Sequence, residues 1–427
     1  MREQISPARS VSGAVQPPGD KSISHRYALL AAIAEGSSRI SNYSTGADCQ
    51  STLACLEPLG VRMEKNAEEV LIHGAGLHGL RAASEMLDAG NSGSTIRMLS
   101  GILAAQSFES RIGGDGSLSR RPMDRIMRPL AEMGAKVEAE QGRFPPLTIT
   151  GRPLRPIEYT LPVPSAQVKT CVLLAGLYAE GETVVHEQVR TRDHTELALR
   201  ELGADITVER RKIRVRGPAR LAAHDLTVPG DISSAAFFLV AALVVSDSNL
   251  VIHGIGLNPT RSTLLDFLTA MGAEIKIVQL QQTAGELVGD VQVRKSRIRG
   301  GAILEKDQSA ALIDEIPILA VLGAASEDGL IVRDAAELRV KESDRIASIA
   351  KNFDSMGLAI EVLPDGFKIP GGQRFHAGVL NSFGDHRIAM AFSVAALAAD
   401  GPCSMENAEA ASISFPEFYD SLRRIAE

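Results

Sequence analysis

The chain repeats one phrase six times: a short glycine-rich or polar loop, then an apolar helix that ends in small residues. The copies open at Gly19-Asp20-Lys21-Ser22, Gly90-Asn91-Ser92-Gly93, Pro164-Ser165-Ala166-Gln167, Gly230-Asp231-Ile232-Ser233, Asp314-Glu315-Ile316-Pro317 and Gly384-Asp385-His386-Arg387. Successive starts lie 71, 74, 66, 84 and 70 residues apart in a chain of 427. A near-constant period means one supersecondary unit used repeatedly. A second echo follows each helix region but the last: LGVRMEK (59–65), MGAKVEA (133–139), LGADITV (202–208), MGAEIKIV (271–278) and MGLAIEVL (356–363). The glycine suits a helix C-cap, and the alternation after it suits a half-buried strand. Each unit therefore reads as α/β: strand, loop, helix, strand, second helix, glycine cap, strand.

Two junctions resemble each other, Pro17-Pro18-Gly19-Asp20 and Val228-Pro229-Gly230-Asp231. Proline fixes φ and glycine allows a sharp reversal, which suits chain crossings between domains. The expectation is two pseudo-equivalent domains of three units each, 20–228 and 1–19 plus 229–427. The active site would lie in the interdomain cleft, with closure over a ligand.

Net charge is −7, so nucleic acid is not an expected partner, and any anionic ligand needs a local basic cluster. Aromatics are 4% and Trp is absent, which argues against stacking platforms. Cys49, Cys55, Cys171 and Cys403 form no CxxC pair or zinc pattern and read as reduced, buried thiols. MREQISPARSVSGAV has no apolar signal-peptide core. The longest apolar run, 235–245, is 11 residues, against the roughly 20 that a membrane span needs. The chain reads as cytoplasmic, with no membrane partner.

Four of the six loops place charged residues beside helix starts, where amides and the macrodipole favour anions. In Gly19-Asp20-Lys21-Ser22-Ile23-Ser24-His25-Arg26, a point charge, two hydroxyls and a guanidinium fork suit a phosphate or carboxylate. Gly90-Asn91-Ser92-Gly93-Ser94-Thr95 is a donor-rich loop in which Gly93 lets backbone approach a ligand. Arg121, in Arg120-Arg121-Pro122-Met123-Asp124-Arg125, is the arginine expected to face the ligand. Ser165, Gln167 and Lys169 open the third unit, and Arg192-Asp193-His194-Thr195 opens its second helix. In Arg339-Val340-Lys341-Glu342-Ser343-Asp344-Arg345, a helix would put Lys341 and Arg345 four apart on one face, with Glu342 on the same wall. Asp314 is a carboxylate at the edge of an apolar stretch, where it needs a partner or a task. The fourth loop, with Asp231 and no cation, reads as chiefly structural.

Taken together, GDKSISHR, LDAGNSGST, SRRPMDR, VPSAQVK, TRDHTE, LRVKESDR and FGDHRIAM, in that order, resemble the enolpyruvyl transferase family over essentially the whole chain. Within it the resemblance is to the EPSP synthases (3-phosphoshikimate 1-carboxyvinyltransferases). The resemblance implies two domains, each of three βαβαββ units, in a six-fold, inside-out α/β barrel. It implies transfer of the enolpyruvyl group of phosphoenolpyruvate to the 5-hydroxyl of 3-phosphoshikimate, with phosphate leaving a tetrahedral intermediate. Carried over by motif, Lys21, Ser22, Arg26, Ser165, Ala166, Gln167, Arg192, Asp314 and Lys341 contact 3-phosphoshikimate. Lys21, Gly93, Arg121, Gln167, Arg345 and Arg387 contact phosphoenolpyruvate. Asp314 is implied as general base, with Lys21 and Glu342 as candidates for proton transfer at the methylene carbon. No metal or organic cofactor is implied, and a monomer is the family expectation.

Two departures stand out. Ala166 sits where one branch has a second serine. Ile413 precedes Ser414-Phe415-Pro416, where that branch carries a lysine. A sister transferase acting on UDP-N-acetylglucosamine is an alternative. Its members carry a reactive Cys, or occasionally Asp, before their Arg-Pro. Here that loop is Gly113-Gly114-Asp115-Gly116-Ser117-Leu118-Ser119-Arg120, without cysteine. A non-catalytic anion-binding repeat protein is a second alternative. It would need the basic helix starts but not Asp314 and Glu342.

Overall fold

The computed structural model describes residues 1–66 and 69–427. Backbone contacts divide the chain into two compact units. The first comprises Gly19–Val228 with Gln282–Glu286; the second comprises Met1–Pro18, Pro229–Gln281 and Leu287–Glu427.

In the first unit, three four-stranded sheets share one order. Leu87–Asp88 runs parallel to Glu109–Gly113, which pairs antiparallel with Phe144–Thr150, which pairs antiparallel with Lys136–Glu140. Helices Gly93–Leu103 and Asp124–Glu132 fill the connections, so this repeat is a βαβαββ unit. The next repeat copies it with strands Glu158–Thr160, Gly181–His186, Ile206–Glu209 and Lys212–Gly217 and helices Ala166–Gly176 and His194–Glu201. In the first repeat, the parallel partner of Glu35–Ser41 is Leu226–Thr227, from the far end of that segment. The second unit mirrors this device: Ser12–Val15, before the Pro17-Pro18-Gly19 junction, runs parallel to Asn249–Gly256 of the fourth repeat. Each Pro-Gly junction thus separates a strand from the helix that follows it in sequence. The sixth repeat is completed by Arg2–Ile5, antiparallel to Cys403–Glu406.

The six loops end at helices Lys21–Ile33, Gly93–Leu103, Ala166–Gly176, Ile232–Val244, Ile316–Ala325 and His386–Leu397. These helices are apolar nearly all round because they are buried nearly all round. In Ile232–Val244 every residue through Leu243 is buried. A helix of that pattern belongs in a core. The second helices are amphipathic instead: Asp124–Glu132 buries only Ile126, Pro129 and Leu130. Each unit has its own hydrophobic core. The glycine of the second echo takes φ of +100° at Gly134 and +104° at Gly272, a left-handed cap that side-chain-bearing residues avoid. All four cysteines are free and buried. Among the described residues, no helix is long and apolar enough to cross a membrane.

Candidate active site

The helix starts are capped by the chain itself. Asp20 Oδ1 accepts from the Ile23 amide at 2.9 Å, Ser92 Oγ from Thr95 at 3.1 Å and Ser165 Oγ from Val168 at 3.4 Å. Asp231 Oδ1 accepts from Ser233 and Asp385 Oδ1 from Arg387, each at 2.9 Å. This modifies the expectation that helix amides would greet an anion: three caps are carboxylates, already placed at the positive helix end. Charge selection therefore falls to the cationic side chains, which gather in one cluster in each unit.

In the first unit, Lys21 Nζ lies 2.8 Å from Asp48 Oδ2. Arg26, on the next turn, is buried. Its Nη1 donates to the Ser22 carbonyl at 2.7 Å, its Nε to Thr195 Oγ1 at 2.7 Å and its Nη2 to Thr170 Oγ1 at 2.9 Å. Nη2 also reaches the Ala166 carbonyl at 3.5 Å. Burial, and then the neighbouring Arg192 charge, bring the Arg26 pKa down to about 10, so it remains a cation at neutral pH. Arg192 Nη1 donates to Ser22 Oγ at 3.3 Å, so two guanidiniums converge on one serine. Gln167 Nε2 donates to Ser94 Oγ at 2.9 Å, and its Oε1 accepts from Arg97 Nη1 at 2.8 Å. Arg121 holds the Asn91 carbonyl at 3.2 Å, Asn91 Oδ1 at 2.7 Å and Ser117 Oγ at 3.1 Å. A β-carbon on Gly93 would stand 2.7 Å from Arg97 Nη1 and 3.4 Å from Arg121 Nη1. The missing side chain therefore makes room for both. Short contacts thus join Ser22, Arg26, Ala166 and Arg192, and Arg97 bridges Gly93 and Gln167 with Arg121 on the adjacent Asn91; Lys21 and Ser165 adjoin these residues in sequence.

In the second unit Arg345 is the hub. It is 1% exposed, with Nε 2.8 Å from Asp385 Oδ2, Nη2 2.7 Å from Glu342 Oε2 and Nη1 3.6 Å from Asp314 Oδ1. Burial opposes its charge, but Asp385, Glu342 and Asp314 outweigh burial and hold its pKa above the ordinary arginine value. Lys341 Nζ lies 3.5 Å from the same Asp314 oxygen. Arg387 Nη1 donates to the Asp314 carbonyl at 2.9 Å and to Ser233 Oγ at 2.8 Å. One acidic residue is thus gripped by its backbone and flanked by two cations at its carboxylate, while a second carboxylate shares the Arg345 guanidinium.

One expectation needs correction. Lys341 and Arg345 do not share a helix face: Lys341 is extended, and the helix begins at Arg345. The Asp344 carboxylate accepts from the Ala347 amide at 3.0 Å, and this cap starts the helix at Arg345. A loop rather than a helical face brings Lys341 to Asp314. The fourth loop makes bracing contacts, in keeping with a chiefly structural part. Ser233 donates to Glu315 Oε1 and accepts from Arg387, and Asp231 Oδ1 pairs with the half-buried Arg261 at 3.3 Å. Ile413, in the place of the other branch's lysine, packs against the hydrophobic core of this unit.

Asp48, Ser233 and Asp385 also belong to these clusters, although the sequence does not mark them as such. Arg97, which follows the Gly90–Thr95 loop in sequence, joins the first cluster through Gln167. Nothing in the sequence pairs Asp48 with Lys21, 27 residues earlier.

A family model described as EPSP synthase (3-phosphoshikimate 1-carboxyvinyltransferase) matches residues 5–422. The 3-phosphoshikimate 1-carboxyvinyltransferase of Solibacter usitatus (strain Ellin6076) is 62% identical over 427 residues, covering 100% of both chains. That of Koribacter versatilis (strain Ellin345) is 50% identical, covering 99% of each. A solved EPSP synthase from Acinetobacter baumannii superposes with a TM-score of 0.89 at 42% identity, covering 100% of this chain and 98% of that one. The enolpyruvyl transferase NikO from Streptomyces tendae shares the fold, with a TM-score of 0.79 at 19% identity. With the two clusters and the repeated βαβαββ unit, these likenesses establish that the chain belongs to the EPSP synthase family.

Proposed function

We infer that this protein transfers the enolpyruvyl group of phosphoenolpyruvate to the 5-hydroxyl of 3-phosphoshikimate. The products are 5-enolpyruvylshikimate 3-phosphate and inorganic phosphate, in the shikimate pathway to chorismate and the aromatic amino acids. The observation that carries the reading is Asp314: its carboxylate sits 3.5 Å from Lys341 Nζ and 3.6 Å from Arg345 Nη1, with Glu342 on the same guanidinium. A protein that only bound anions would need the cations but not two carboxylates among them.

In this reading both clusters act on the same pair of substrates. The cations of the first unit, Lys21, Arg26, Arg121 and Arg192, take up phosphate and carboxylate charge with Ser22, Gly93, Ser165, Ala166 and Gln167. Lys341, Arg345 and Arg387 do so from the second. Asp314 accepts the proton of the 5-hydroxyl as its oxygen bonds to C2 of phosphoenolpyruvate, while C3 gains a proton. Loss of a proton from the new methyl group then re-forms the double bond as the C2–O bond to phosphate breaks. Lys21 and Glu342 are the residues assigned to the two C3 transfers. Both steps move charge inside a fixed set of cations, the arrangement in which electrostatic stabilisation is strongest. The enzyme acts as a cytoplasmic monomer in this reading.

The test is a phosphate-release assay with two acceptors. Phosphate should appear with phosphoenolpyruvate and 3-phosphoshikimate and not with UDP-N-acetylglucosamine. Release with the nucleotide sugar alone would move the chain to the sister activity.

A further inference from the structure

Lys169 lies one helical turn beyond Ser165 and is 0% exposed. A fully buried ammonium is costly unless its charge is compensated. Here it meets Glu187 Oε1 at 3.0 Å and Glu196 Oε1 at 2.6 Å, and both glutamates are themselves 3% exposed. The three residues come from helix Ala166–Gly176, the loop that opens directly after strand Gly181–His186, and helix His194–Glu201.

What those elements carry gives the cluster its meaning. Glu187 Oε1 also accepts from the Thr191 amide at 3.1 Å and from the Thr191 hydroxyl, so it fixes the loop at the residue before Arg192. Glu196 follows Thr195, whose hydroxyl accepts from Arg26 Nε at 2.7 Å and lies 2.6 Å from Thr170 Oγ1. Thr170 follows Lys169 and accepts from Arg26 Nη2. The ammonium therefore ties together the backbone that bears Ser165, Ala166 and Gln167, the loop that bears Arg192, and the helix start that orients Arg26. The second oxygen of Glu196 has no hydrogen-bond partner among the described residues, so Lys169 is its main compensation. Burial already pushes the Glu196 pKa up, against the pull of Lys169.

We propose that Lys169 is a positioning residue for 3-phosphoshikimate: it touches no substrate, and through Glu187 and Glu196 it sets the Arg26 and Arg192 guanidiniums at the spacing that receives this anion. The proposal rests on the functional reading above. A methionine at 169 would keep the stem and remove the charge, leaving two buried carboxylates to repel each other. The loop and the helix start would then separate.

The experiment is steady-state kinetics on the full chain for wild type, Lys169→Met, Lys169→Arg and the charge-balanced Lys169→Met/Glu196→Gln, with circular dichroism to verify folding. Loss of a well-placed charge-assisted hydrogen bond weakens binding by about tenfold or more, so Lys169→Met should raise KM for 3-phosphoshikimate about tenfold or more. KM for phosphoenolpyruvate and kcat should each change less than about threefold, and Lys169→Arg should recover most of the loss. If Lys169→Met does not fold, the double variant, which keeps the net buried charge but breaks both links to residue 169, should still raise KM for 3-phosphoshikimate, by less than about tenfold, and leave KM for phosphoenolpyruvate within about threefold. Folded variants whose KM for 3-phosphoshikimate is unaltered, or whose two KM values rise equally, would overturn the proposal alone. A wild type that does not turn over 3-phosphoshikimate would overturn the functional reading, and this proposal with it.

Discussion

At the scale of single residues, burial decides how charge is used. His25 is fully buried beside Lys21 and Arg26, and its Nδ1 lies 2.6 Å from Thr52 Oγ1. That hydroxyl lies 2.7 Å from Thr95 Oγ1, which donates to Ser92 Oγ at 2.8 Å. Burial first, then Lys21 and Arg26, hold the His25 pKa well below 6.5, so the imidazole is neutral in the folded protein at pH 7. The unfolded chain binds a proton at this residue near pH 6.5, and the folded chain does not. The contribution of His25 is therefore fully present above that pH and is lost as pH falls through it, at up to about 1.4 kcal/mol per pH unit. Urea denaturation of wild type and His25→Gln at pH 7.5 and 5.0 should show the advantage of wild type shrinking at the lower pH. A constant advantage would mean that His25 takes up a proton as readily in the fold as in the unfolded chain.

At the scale of elements, small residues set how closely the core helices approach. A β-carbon on Gly101 would stand 2.3 Å from the Cys171 carbonyl oxygen, where helix Gly93–Leu103 meets helix Ala166–Gly176. Gly101→Ala should therefore destabilise the protein by about 1–3 kcal/mol, although alanine is by itself the better helix former. Calorimetric melting would show this as a lower Tm, and the same change should weaken activity because Gly93 and Gln167 ride on these two helices. Gly116, where a β-carbon finds its nearest neighbour 3.8 Å away, is the control and should tolerate alanine. An unchanged Tm for Gly101→Ala would contradict the close approach. The element pattern was legible in the sequence because each local signal had one physical meaning. The repeated loops marked helix starts, and the Leu/Met-Gly pairs marked left-handed caps. What was not legible was partnership. The glycine in MLSGILAA is visible, but the carbonyl that needs the space is 70 residues away. The Lys341–Arg345 spacing suggested a helix, and only the Asp344 cap shows why the helix starts too late to hold both.

At the scale of the whole molecule, the six repeats are scaffold, and their loops divide the work. The first, second and third repeats supply Lys21, Arg26, Gly93, Arg121, Gln167 and Arg192 to one unit. The fifth and sixth supply Asp314, Lys341, Glu342, Arg345 and Arg387 to the other, with Ser233 of the fourth holding Arg387 in place. The motifs named these residues, yet the acidic partners that hold them, Asp48 and Asp385, emerged only from the fold, because ion pairing across distant segments leaves no local trace in sequence. The central claim is that carboxylates set among these cations run an addition and then an elimination, with a proton gained and lost at C3 of phosphoenolpyruvate. The most direct measurement is mass spectrometry of the organic product formed in D2O from phosphoenolpyruvate and 3-phosphoshikimate. Deuterium in the vinyl methylene of that product is the predicted result; a product formed with its methylene hydrogens fully retained would contradict the account.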